Sequence, residues 1–181
     1  MSAIEDRART GATLDAQEEA ASRTFAYEPG EGEALWWVGL LATIKATKEQ
    51  TGGQYTLVEI LAPDGYGSVL HVHHTEDEGF WILEGEMTFY VGDQSIKAHP
   101  GSFLFGPKGV PHAFTVDSGP ARLLFVLSPA GFEDLVREMG EPARELRIPP
   151  QPEAPDEAEM QRMAAIAARH GNEILGPPPN R

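Results

Sequence analysis

The sequence predicts an all-β chain: a sandwich or barrel of roughly eight short antiparallel strands, with a polar arm before it and two helices after it. Three features predict this. Residues 35–128 are a succession of short runs rich in β-branched and aromatic side chains. Between the runs lie turn-forming clusters at close, regular spacing. Helical periodicity appears only beyond residue 130. Hydrophobic residues make up 41% of the 181, enough for one folded domain.

Residues 1–30 are polar and rich in Ala and Glu, and are expected to form an arm outside the core. The strand runs of 31–130 follow in order: LWWVGLLATIK, QYTLVEIL, SVLHVHH, FWILEGEMTFYVG, SIKA, SFLFG, HAFTV and ARLLFVLS. The segments TGG, PDGYG, GD, PG, PKGVP and DSGP supply the turns. In residues 131–181, GFEDLVREMG places Phe132, Leu135, Val136 and Met139 on one helical stripe, with Gly140 as the residue that ends it. A second helix is expected after the proline-rich RIPPQPEAP, with Asp156 as N-cap, Met160, Met163, Ala164 and Ala167 as its stripe, and Gly171 as its stop. Both stripes are expected to dock on the barrel as core. The final GPPPN reads as extended, polyproline-like chain.

The formal net charge of −14 disfavours nucleic acid and anionic membrane surfaces as partners. The absence of cysteine excludes disulfides and thiolate metal sites, leaving imidazole and carboxylate as metal donors. The longest apolar stretch, Ala34 to Ile44, is too short to span a bilayer, and the N-terminus carries no apolar signal core, so the chain reads as cytoplasmic.

The segment LHVHHTEDEGFWILEGEM carries the chemistry. On a strand, His71 and His73 share a face, because alternate residues point the same way. A short turn returns Glu78 on the next strand, with Phe80 and Ile82 on its face. Two imidazoles and a carboxylate then converge, the donor mixture that suits a divalent transition metal. His112 is the fourth candidate, because Pro107, Gly109 and Pro111 bend the chain just before it. His74, Glu76 and Asp77 read as a solvated, charged turn. His74 becomes a ligand only if the strand slips by one residue, which would turn all its side chains over. His99 and His170 read as surface residues.

Two spacings carry a family resemblance. Gly65, His71, His73, Glu78 and Gly85 resemble the first motif of the cupins, and Gly101, Pro107, Gly109 and His112 resemble the second. The fifteen residues between the motifs are similar to the spacing in small single-domain bacterial cupins. One position departs: Val116 stands where the second motif usually carries Asn. The resemblance covers about residues 35–128. It implies a double-stranded β-helix, also called the jelly-roll barrel, and one divalent ion of Fe, Mn, Ni, Co, Cu or Zn on His71, His73, Glu78 and His112.

Alternation along the strands makes Tyr55, Leu57, Phe80, Ile82, Phe103, Phe105, Phe114 and Val116 the candidates for an apolar substrate cavity. Between Ile60 and Ala121 the only Lys or Arg residues are Lys97 and Lys108, both in or near turns, which disfavours phosphorylated or dicarboxylate substrates. The resemblance within the family is to quercetin dioxygenases. It implies a metal-dependent dioxygenase acting on an aromatic or phenolic small molecule, with Glu78 as both ligand and base. A cupin isomerase or cyclase and a non-catalytic metal-containing binding module are the alternatives. Consecutive Trp36, Trp37 and Val38, with Trp81 and Leu83 on the face away from Glu78, predict a homodimer.

Overall fold

In a computed structural model, residues 24–151 and 155–179 are described. Most of the expected N-terminal arm, residues 1–23, lies outside them. Eight strands fill residues 33–128: β1 (Glu33–Trp37), β2 (Leu40–Ala46), β3 (Thr56–Ala62), β4 (Leu70–His73), β5 (Asp77–Val91), β6 (Gln94–Ala98), β7 (Phe103–Gly106) and β8 (His112–Ser128). A single turn of helix, α1 (Lys48–Thr51), interrupts them. It was not expected. Thr47 and Gln50 cap it reciprocally, each accepting the other's backbone N–H, which stabilises a turn that propensity alone would not.

All strand pairings are antiparallel, in the order β10-β4-β8-β3-β2-β1-β9, while β5 pairs with β6, β7 and β8. Here β9 is Glu141–Pro142 and β10 is Asn172–Gly176. The long β8 joins the two sides of the barrel: its second half pairs with β3, both halves pair with β5, and His112 at its start faces His71 of β4. Gly85 is needed where β5 bends. It has φ of +83°, and a Cβ there would lie 2.8 Å from the Ala121 backbone. Ile60, Ile82, Met87, Leu123 and Leu127 fill the interior.

The two C-terminal helices are present as α2 (Phe132–Met139) and α3 (Glu157–Arg169). Asp156 caps α3 by accepting the Glu159 N–H, as expected. Three findings were not expected. Gly140 ends α2 in an extended conformation rather than a left-handed one. Of the expected α3 stripe only Ala167 is buried, together with Ile166, while Met160 is exposed. After Gly171 the chain does not trail away but returns to the sheet as β10 beside β4. That pairing covers what would otherwise be the open edge of the strand carrying His71 and His73.

Glu133 on α2 is fully buried, although nothing in the helical stripe marks it as such. Its carboxylate accepts the Thr56 hydroxyl, the Gly131 N–H and the Lys48 N–H, tying α2 to β3 and α1. Glu133→Ala strands these donors without an acceptor and is expected to cost about 3 kcal/mol. Differential scanning calorimetry should then show Tm lower by roughly 6–12 °C.

Candidate metal centre

β4 presents His71 and His73 on one face, β5 delivers Glu78 from the neighbouring turn, and β8 begins with His112 directly opposite His71. One donor atom from each of the four lies within 4.8 Å of every other. Glu78 Oε2 is 3.2 Å from His73 Nε2 and 3.1 Å from His112 Nε2. Donors bound at about 2.1 Å from one ion would be ~3–4 Å apart, so this set needs only slight contraction. His73, Glu78 and His112 are buried, and His71 is half-buried at the cavity wall. The donor chemistry, three imidazoles and one carboxylate, with no Lys or Arg paired to them among the described residues, fits a first-row divalent ion.

Local geometry aims two of the imidazoles. The Nδ1–H of His71 donates to the Val69 carbonyl at 2.9 Å, and that of His112 to the Val110 carbonyl at 3.0 Å. A carbonyl can only accept, so the proton is held on Nδ1 and Nε2 faces the centre. Two further bonds brace the loop that delivers His112: Gly109 donates its N–H to the His73 carbonyl, and Lys108 its N–H to the Asp77 carboxylate.

Burial would raise the Glu78 carboxyl, but the imidazoles of His73, His112 and His71 outweigh it and hold the group below the usual carboxylate range. Burial also disfavours charge on His112, yet its hydrogen bond to Glu78 and that group's charge raise it. His71 is lowered to about 4 by burial and by neighbouring His112. An unfolded His71 takes a proton near pH 6.5. The folded metal-free chain therefore binds fewer protons from there down to about pH 4, and its stability should fall across that window by about 3 kcal/mol. The His112 contribution runs the other way: it is complete below pH ~6.5 and is lost as pH rises through its raised value. Thermal melts of EDTA-treated protein against pH test this.

Beside the four residues lies a cavity of about 930 Å³. Of the residues expected to line it, Phe80 and Phe114 do. Ile82 and Val116 point inward but are packed into the core. Phe103 and Phe105 are corrections, 57% and 54% exposed on the outer face. On β7 it is Leu104 and Gly106 that face in. Tyr55 is also exposed, and Leu57 is half-buried and turned outward, since β3 buries Thr56, Val58, Ile60 and Ala62. In both strands the parity is one residue from the expectation, which reverses every side chain.

Other cavity residues were assigned elsewhere by the sequence reading. Phe132, expected as helix core, lies 5.6 Å from the His73 ring and meets Trp37 edge to face. Tyr66, in a segment read only as a turn, stacks near Phe114, and burial pushes its phenol well up, keeping it a neutral donor. Met160, Met163 and Ile166 of α3 close the far wall. The barrel offers no Lys or Arg to the cavity, but α3 contributes Arg162 to its lining, which also includes Glu138, Glu141 and Glu159. Lys97 is paired with Asp117 on the surface.

In the charged turn, His74 is exposed and paired with Glu173 at 2.9 Å, so it faces away from the centre. His99 is exposed, and His170 pairs with Glu138. Glu76 is a correction: rather than solvated, it is 5% exposed.

A family model described as a cupin domain matches residues 57–127. The chain is 35% identical over 130 residues to a quercetin 2,3-dioxygenase of Bacillus subtilis, covering 72% of this chain and 39% of that protein. It therefore spans about two fifths of that relative's length. Among solved structures, an RmlC-like cupin from Shewanella frigidimarina superposes with a TM-score of 0.53 at 20% identity, covering 61% of this chain and 96% of that one. The polyketide cyclase RemF from Streptomyces resistomycificus gives 0.51 at 18% identity, covering 60% and 80%. At these identities the likeness is one of fold.

Proposed function

Because this chain carries a cupin domain, resembling those of the quercetin dioxygenases, we propose that it is a metal-dependent dioxygenase acting on an apolar aromatic or phenolic small molecule. The observation that carries the reading is the buried three-imidazole, one-carboxylate cluster opening onto an aromatic-walled cavity. His71, His73, Glu78 and His112 would hold the ion, one of Fe, Mn, Ni, Co, Cu or Zn. Once bound it would act as a Lewis acid toward a substrate oxygen and a site for dioxygen chemistry. The chain's own residues do the rest. Phe80, Phe114 and Phe132 hold an aromatic ring against the cluster and keep water away. Glu78, held in its charged form, accepts the substrate's hydroxyl proton. On the lining Glu141 and Glu159 outnumber Arg162, while Glu138 is paired with Arg169 and His170, which leaves the cavity unfavourable for multiply anionic substrates.

The test is elemental analysis of protein purified without a histidine tag, paired with dioxygen uptake on a panel of phenols and flavonols after loading with each metal. Uptake is expected only with substrate present. Tight binding of aromatic ligands with no uptake under any metal would replace this reading with a non-catalytic binding module. Turnover without dioxygen would favour an isomerase or cyclase.

A homodimer is part of the same proposal. Trp36 is half-buried within the chain, its Nε1–H donating to the Arg147 carbonyl. Trp81 and Phe103, with rings 6.2 Å apart, stay 50% and 57% exposed beside Phe105. An apolar aromatic face of this kind is stabilised by a partner. Sedimentation is expected to give about twice the 19.7 kDa of one chain. A single-chain mass at all concentrations overturns it. Among the described residues no helix is long and apolar enough to cross a membrane.

A further inference from the structure

Two of the three clustered imidazoles are locked by a carbonyl two residues earlier in their own chain, but His73 is not. Its Nδ1 is buried and has no hydrogen-bond partner among the described residues. The polar atom facing it is a carboxylate oxygen: Glu76 Oε2, at 3.5 Å, is within ion-pair reach but beyond a well-formed hydrogen bond. Burying a carboxylate costs solvation unless partners compensate. Among the described residues the partners of Glu76 are the Thr75 hydroxyl, which donates to Oε2 at 2.5 Å, and the His73 ring.

Thr75 is in turn held from the far end of the chain. Gly171 has φ of +74°, and a Cβ on it would lie 2.7 Å from Thr75 Oγ1. The Gly171 carbonyl accepts the His74 N–H at 2.8 Å. The C-terminal segment therefore presses on the turn that carries Glu76.

We infer that Glu76 is a positioning residue for His73: it accepts the Nδ1–H, keeps Nε2 as the donor toward the metal, and makes the ring a stronger ligand. A closure of a few tenths of an ångström converts the 3.5 Å approach into a hydrogen bond. This rests on the metal-centre reading above. Carboxylates that brace ligating histidines in this way commonly govern metal affinity about 10–100-fold.

The experiment uses full-length protein loaded with zinc, which is diamagnetic. Its dissociation constant is measured by chelator competition, and its imidazole N–H signals by NMR. Wild type is expected to show one slowly exchanging Nδ1–H signal for each of His71, His73 and His112. In Glu76→Ala the His73 signal should be lost to exchange while the other two persist, and zinc should bind about 10–100-fold more weakly. Glu76→Gln keeps an oxygen acceptor and should recover part of both. It also carries the test if the alanine variant fails to fold, with its Nδ1–H signal then expected to shift. Unchanged affinity and an unchanged His73 signal in a folded variant overturn the inference. So does the same loss in Asn172→Ala with Glu76→Gln at wild-type values. Asn172 is the cross-strand partner of His73 and has its own buried, unpaired Oδ1. Wild type that retains no zinc would sink the metal-centre reading itself, before any variant is compared.

Discussion

His73→Ala is expected to leave a folded protein that no longer retains metal through chelator treatment and desalting, while His74→Ala keeps nearly all of it. The two residues are adjacent, so composition and local charge change in the same way. Their directions differ: His73 is buried with Nε2 3.2 Å from Glu78, and His74 faces out to Glu173. Removing a first ligand should weaken binding beyond the ~100-fold that loss of an outer partner costs. Metal content by elemental analysis checks both variants. The reverse pattern would mean that β4 is turned over.

Glu78→Gln should keep much of the metal yet lose roughly 10²–10⁴-fold in substrate-dependent dioxygen uptake, the range expected when a positioned base is removed. Glutamine retains an oxygen donor toward His73 and His112 but carries no charge and takes no proton. Two measurements separate the roles of Glu78: metal content reads the ligand, and uptake rate in metal-matched samples reads the base. Equal loss of both would assign Glu78 to metal binding alone.

The four candidate ligands were legible in the sequence because their placement follows from local rules. Alternation puts His71 and His73 on one face, a short turn returns Glu78, and Pro107, Gly109 and Pro111 aim His112. The same rule failed for the cavity in two different ways. β7 reads FLFG, apolar on both faces, so the pattern of polarity does not choose which face is inside. β3 reads TLVEILA and did carry a signal: Glu59 shares a face with Tyr55 and Leu57 and pairs outside with Lys45 and Arg122, marking that face as the outer one. Phe80 on β5 was placed correctly because its face also carries Glu78, a residue with a reason to point inward.

By itself the sequence determined the strand-rich barrel, the two helices after it and the set of His71, His73 and Glu78, since each depends on residues near one another in the chain and on turns of fixed geometry, while His112, 34 residues from Glu78, was marked by the bend before it and by its motif spacing. Only the tertiary structure decided the rest. Glu76 lies in HTEDE, which reads as a solvated turn, and it is buried because Gly171 and β10 return from almost a hundred residues away to pack on Thr75. Glu133 is buried because donors from β3, α1 and the Gly131 turn converge on it. Met160 and Met163 line the cavity rather than fill the core because α3 packs beside it through Ile166 and Ala167 instead. In each case the partner is distant in the chain. Its approach is set by how the whole molecule packs, a quantity that local pattern does not contain.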